Sequence, residues 1–121
     1  MGQTVGYAVR FDEKHCKKTR IKYLTDGMLL MESQKKKNKH FSMYKCLILD
    51  EVHERTINTD LLLGLAKKAQ QFRATTDNKL KIVLMSATMD VDNVKSYFPA
   101  YVSDCLNTKY MLISEIIQMN T

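Results

Sequence analysis

Hydrophobic and polar positions alternate twice in the first part of the chain. Val5, Tyr7, Val9 and Phe11 alternate with Gly6, Ala8 and Arg10, and Arg20-Ile21-Lys22-Tyr23-Leu24 alternates again. A period of two predicts strands, the first running into a polar turn over residues 12–18. The pattern then changes. Cys46-Leu47-Ile48-Leu49 is an unbroken apolar run, which predicts a strand buried on both faces, and Lys81-Ile82-Val83-Leu84-Met85 predicts a second apolar strand. Between them Leu61, Leu65, Ala69 and Phe72 recur at helical spacing behind Asn58 or Thr59 as N-cap. Strand, helix, strand at this length is a right-handed crossover unit, so the class is α/β.

Three further segments complete the pattern. Thr25 or Asp26 can cap a helix beginning near Met28, and the basic stretch 34–40, QKKKNKH, reads as a solvated loop with phosphate contact as the alternative. Asp90 can cap a short helix over 91–98 that Pro99 ends. In the last apolar stretch, Tyr110 to Met119, Leu112, Ile113, Ile116 and Ile117 fit one face of a short helix. A non-native tail is the other reading, and an unpaired apolar segment of this kind invites aggregation or a partner.

The rim of the predicted sheet carries the candidate chemistry. The first apolar run ends in Asp50 and Glu51 with His53 just beyond, and the second ends in Ser86-Ala87-Thr88. Open α/β sheets bind ligands outside the carboxyl ends of their strands. An acid fixed there can hold Mg²⁺ on nucleotide phosphates, and a second can orient and deprotonate an attacking water. Asp50 is therefore assigned to the metal and Glu51 to the water. An isolated Asp-Glu pair would more simply open a turn; the second strand delivering polar residues to the same rim favours chemistry.

These residues carry a resemblance. Asp50-Glu51-Val52-His53 followed by Glu54-Arg55-Thr56, with Ser86-Ala87-Thr88 downstream, resembles motifs II and III of the DEAH-box RNA helicases, superfamily 2 enzymes with RecA-like domains. Thr25-Asp26-Gly27-Met28-Leu29 resembles their motif Ib, and residues 5–12 resemble the strand and turn before it. The likeness covers roughly residues 3–99 in the family's order, and four motifs together are specific where one alone is weak. It implies a partial first RecA-like domain with a mostly parallel sheet flanked by helices, followed by a divergent tail over 100–121. It further implies ATP and Mg²⁺ as cofactors and RNA as partner. By the same resemblance His53, Ser86 and Thr88 link the nucleotide and RNA sites, while Arg10, Phe11, Thr25, Asp26 and Gly27 touch RNA. Without the resemblance, Phe11 would be core, Arg10 a surface charge, Thr25-Asp26-Gly27 a plain helix start, and Ser86 and Thr88 strand-end caps.

Charge and composition narrow the partners. Residues 1–45 carry 11 Lys/Arg against 4 Asp/Glu and the remainder 8 against 9, so the positive charge precedes Asp50 and suits a polyanion on that side. Cys16, Cys46 and Cys105 are odd in number and lack a C-x-x-C pair, which argues against a disulfide framework, a disulfide-linked partner or a zinc site. Neither a signal peptide nor a membrane span is visible, and a nuclear or cytoplasmic protein is expected. Gly-Lys occurs nowhere, so the G-x-x-x-x-G-K-[ST] phosphate loop is missing and the chain alone should be a poor ATPase. The alternatives are a non-catalytic short form that binds RNA or a helicase partner protein, and a product that does not fold stably alone.

Overall fold

The computed structural model describes residues 3–86 and the backbone of two later strands, 102–107 and 110–114. The chain divides into two compact units, Met1–Lys39 and His40–Thr121.

The first unit is a three-stranded sheet with one helix. Strand β1 (Val5–Val9) lies between β2 (Asp12–Lys14), to which it is antiparallel, and β3 (Ile21–Leu24), to which it is parallel. The polar turn expected over 12–18 therefore begins earlier. The chain reverses at Arg10-Phe11, with Phe11 at φ 67°, and Asp12–Lys14 pairs back as an exposed edge strand. A three-residue polar segment has no hydrophobic signature, so only backbone pairing reveals it as a strand. Gly6 is required by a close approach. A Cβ there would meet the Lys14 carbonyl oxygen at 2.6 Å and His15 Cβ at 2.8 Å.

Helix α1 (Asp26–Ser33) begins slightly before the expected Met28, and of the two candidate caps Thr25 is the N-cap, with Oγ1 accepting from the Met28 amide; Leu29 and Glu32 are buried. Burial of a carboxylate requires a partner. Lys22 on β3 supplies it by donating to Glu32 Oε1, joining strand and helix.

The second unit is a four-stranded sheet in the order β4-β5-β7-β6. Strands β4 (Cys46–Leu49) and β5 (Lys81–Met85) are parallel and joined by helix α2 (Ile57–Arg73), the expected crossover. Two details differ from expectation. Only one face of β4 is buried: Leu47 and Leu49 lie inside, whereas Ile48 is 63% exposed. An unbroken apolar run cannot distinguish one covered face from two. Helix α2 is capped by Thr56, whose Oγ1 accepts from the Thr59 amide at 3.1 Å, rather than by Asn58 or Thr59. Its buried stripe is Thr59, Leu62, Ala66, Ala69, Gln70 and Arg73, which leaves Leu61, Leu65 and Phe72 exposed. Apolar residues occupy two adjacent stripes of this helix, and composition does not say which is covered.

The core of this unit draws on that stripe and on one face of the sheet: Leu47, Leu49, Leu62, Ala66, Ala69, Leu80, Ile82 and Leu84 are all buried. Each buried leucine or isoleucine contributes about 1.5–3 kcal/mol. Gln70 ties α2 to the approach to β5 by donating to the Leu80 carbonyl. Arg73, at the last turn of α2, is buried to 4% exposure with no carboxylate partner among the described residues. Its guanidinium donates instead to the carbonyl oxygens of Phe41, Tyr44 and Asn78 at 2.7–2.9 Å.

The helix expected over Leu112 and Ile113 is a strand. β7 (Tyr110–Ser114) pairs antiparallel with β5 on one side and with β6 (Val102–Asn107) on the other. The free edge of β5 offers a row of backbone donors and acceptors that a strand satisfies and a helix would not. Ile116, Ile117 and the predicted helix over 91–98 lie outside the described residues.

Candidate functional site

The site is built at the carboxyl end of β4. Parallel register sets Leu49 opposite Leu84, so the residues after β4 and after β5 leave the sheet at a common edge. Asp50 and Glu51 follow β4 there, and Ser86 follows β5. Ser86 is 6% exposed, whereas Asp50 and Glu51 are open to solvent. Thr88 lies outside the described residues.

The chain turns sharply beyond the strand. Glu51 adopts left-handed backbone (φ 54°, ψ 36°), Val52–Glu54 forms a 3₁₀ turn, and Arg55 is left-handed again (φ 50°, ψ 43°). Left-handed geometry in a non-glycine residue costs about 1 kcal/mol, and two such residues within five mark a turn held by its surroundings. Several bonds hold it. The Glu51 amide donates to Asp50 Oδ1 at 2.8 Å, and the Glu54 amide donates to the Glu51 carbonyl at 3.1 Å. Val52 is buried beneath. Arg55 forms a two-pronged pair with Asp60 on the first turn of α2, at 2.8 and 3.4 Å, and that carboxylate raises the guanidinium's already high pKa. Sequence reading assigned Arg55 no role. A signal existed in an arginine five residues before an acid at a helix start, but it does not announce which backbone the pair secures.

The turn brings His53 back to Glu51: His53 Nε2 lies 3.1 Å from Glu51 Oε2, with His53 largely covered and Glu51 open. The arrangement leaves the Asp50 carboxylate anchored through one oxygen and Glu51 steered by an imidazole. Mg²⁺ on a nucleotide needs only one or two protein carboxylates, the remaining ligands being phosphate oxygens and waters, and Asp50 fits that requirement. Among the described residues no group of three or more His, Cys, Asp and Glu side chains offers a larger cage.

The residues predicted to touch RNA all lie in the first unit. Arg10 and Phe11 form the tip of the β1–β2 hairpin. Phe11 is 93% exposed, which removes the core reading of it, and the Arg10 guanidinium stacks 4.9 Å above its ring centroid. Tyr7 braces the hairpin by donating to Asp12 Oδ2 at 3.0 Å, and this bond to a carboxylate raises the phenol pKa. Thr25, Asp26 and Gly27 form the start of α1, with Thr25 and Asp26 exposed.

Comparison with known proteins agrees on one family. The DEAD/DEAH box helicase family model matches residues 3–97. The human protein named ATP-dependent RNA helicase DHX33 is 52% identical over 99 residues, and its Drosophila melanogaster counterpart 48%. A probable ATP-dependent RNA helicase DHX35 homolog of Caenorhabditis elegans is 44% identical over 98. The crystal structure of the Escherichia coli DEAH/RHA helicase HrpB superposes with a TM-score of 0.66 at 37% identity, covering 81% of this chain and 12% of that one. The chain likewise spans 14% of the length of DHX33. With a RecA-like α/β fold, an Asp-Glu-Val-His turn at a strand end and a family match across most of its length, the chain belongs to the DEAD/DEAH box helicase family.

Proposed function

We propose that this chain supplies the nucleotide-hydrolysing rim and part of the RNA-contacting surface of an ATP-dependent RNA helicase acting in the nucleus or cytoplasm. Residues 3–99 are part of its first RecA-like domain, and 100–121 are a divergent tail. The single observation that carries this reading is the strained Asp50–Arg55 turn, whose left-handed Glu51 stands beside His53 at a strand end.

Each residue then has a role. Asp50 would hold Mg²⁺, which would supply positive charge against the nucleotide phosphates. Glu51 accepts the proton of the attacking water. His53 fixes the Glu51 carboxylate and, with Ser86 and Thr88, links that rim to the RNA side. Arg10 and Phe11 offer a cation and an open aromatic face on which a base can stack, and Thr25, Asp26 and Gly27 present a helix start to the RNA backbone.

The test is a chimera in which residues 3–97 replace the matching segment of human DHX33, assayed for ATP turnover with single-stranded RNA. Turnover that Glu51→Gln abolishes supports the reading; turnover surviving that change removes Glu51 as the base. A second reading, RNA binding without hydrolysis, rests on charge: residues 1–39 hold ten Lys/Arg against four Asp/Glu. Salt-dependent RNA binding by the chain, with an inactive chimera, would favour it.

A further inference from the structure

The basic stretch expected to be a loop is folded. Lys36–Phe41 forms a 3₁₀ helix, entered through backbone bonds from Lys35 to the Glu32 carbonyl and from Asn38 to the Lys35 carbonyl. In 3₁₀ geometry residues three apart eclipse one another, so Lys36 and Lys39 stand on one edge. Asn38 is 1% exposed and seats the turn, while Lys35, Lys36, Lys37 and Lys39 are all exposed. Neither Asp nor Glu occurs from Ser33 through Leu49, and the acid that precedes this stretch in the sequence, Glu32, pairs with Lys22. A flexible lysine loop would lose conformational entropy on gripping a polyanion; a seated turn has given up part of that freedom in advance.

We infer that the lysine turn 35–39 is a second phosphate-contacting surface for RNA, separate from the Arg10-Phe11 tip and the start of α1. Its ligand is the phosphate backbone of a single strand, contacted without base selectivity because ammonium groups are point charges without a fixed donor fork. The inference rests on the reading that this chain touches RNA.

The experiment measures binding of the full 121-residue chain to a fluorescent single-stranded RNA across a salt series, alongside three variants. Each phosphate contact to a single strand contributes about −0.7 to the slope of log affinity against log salt, so Lys35→Gln/Lys36→Gln/Lys39→Gln should flatten that slope by about 2. Lys17→Gln/Lys18→Gln removes two exposed charges elsewhere in the same unit and should flatten it by well under two-thirds as much. Flattening by the two variants in proportion to the charges removed, two against three, would reduce the effect to net charge and overturn the inference. A slope unmoved by the lysine-turn variant but lowered by Arg10→Ala/Phe11→Ala would overturn it while leaving the RNA reading intact. No RNA binding by the unaltered chain would sink both. Lysine-turn-dependent binding of polyglutamate in preference to RNA would instead assign the turn to an acidic protein segment. Circular dichroism of each variant shows whether the fold is retained, as substitution of exposed lysines should allow.

Discussion

His53 Nε2 stands 3.1 Å from Glu51 Oε2, across a turn whose first residue is held in left-handed backbone. The pair explains why a residue type that disfavours this geometry occupies it: the turn folds the imidazole back over the carboxylate. A general base contributes about 10²–10⁴-fold to turnover. In the DHX33 chimera Glu51→Gln should therefore reduce ATP turnover by at least about a hundredfold while RNA affinity stays within about twofold. His53→Ala should lower turnover less and weaken its dependence on RNA. Single-turnover ATP hydrolysis with and without RNA measures both.

Gly6 has no room for a side chain, because a Cβ would sit 2.6 Å from the Lys14 carbonyl oxygen. That neighbour is backbone and cannot rotate away. Gly6→Ala should destabilise by about 1–3 kcal/mol through displacement of β2 from β1. Thermal melting followed by circular dichroism checks it, and an unchanged melt would mean that β2 moves freely.

Arg73 joins three stretches of the second unit by donating to the carbonyls of Phe41, Tyr44 and Asn78. Its burial lowers the guanidinium pKa, yet an arginine stays charged under any ordinary condition. Arg73→Met should cost about 3 kcal/mol, since buried carbonyl groups lose their donors. Arg73→Lys should recover little of it, because an ammonium lacks the fork that reaches three directions. Urea unfolding compares the two variants with the original chain.

Thr56 caps α2 through its hydroxyl, and Thr25 caps α1 in the same way. Thr56→Ala should cost about 1 kcal/mol and Thr56→Ser nearly nothing. Because Thr56 also begins the helix that Arg55 pins through Asp60, the alanine variant should loosen the Asp50–Arg55 turn, read as faster amide exchange at Val52–Glu54.

The residue Cys46 is exposed, yet partial desolvation of its thiol pushes the pKa up, with Lys81 opposing the rise in part. A raised thiol pKa means less thiolate at a given pH, and thiolate is the reactive form. Between pH 7 and 8.5, Cys46 should alkylate more slowly than a thiol of ordinary pKa. Its rate should still be climbing with pH where an ordinary thiol levels off. Peptide mapping after timed iodoacetamide treatment reports it separately from Cys16 and Cys105.

By itself the sequence determined the parallel β4-α2-β5 unit, a helix start at Thr25 or Asp26 and the strand end that bears Asp50 and Glu51. Each of these is a local signal: an apolar run, a capping hydroxyl, a polar residue following a strand. It also determined the family, since four short motifs in a fixed order are jointly specific. Tertiary structure alone decided which stripe of α2 is buried, because Leu61 and Leu62 are equally apolar and only one faces the core. It decided that Tyr110–Ser114 is a strand, since the demand for that conformation comes from the open edge of β5, some 25 residues earlier. It decided that Phe11 stands in solvent at a hairpin tip and that 35–39 is a seated turn. Alternation reports period, not which side is covered, and a run of lysines reports charge, not whether the backbone beneath it is fixed.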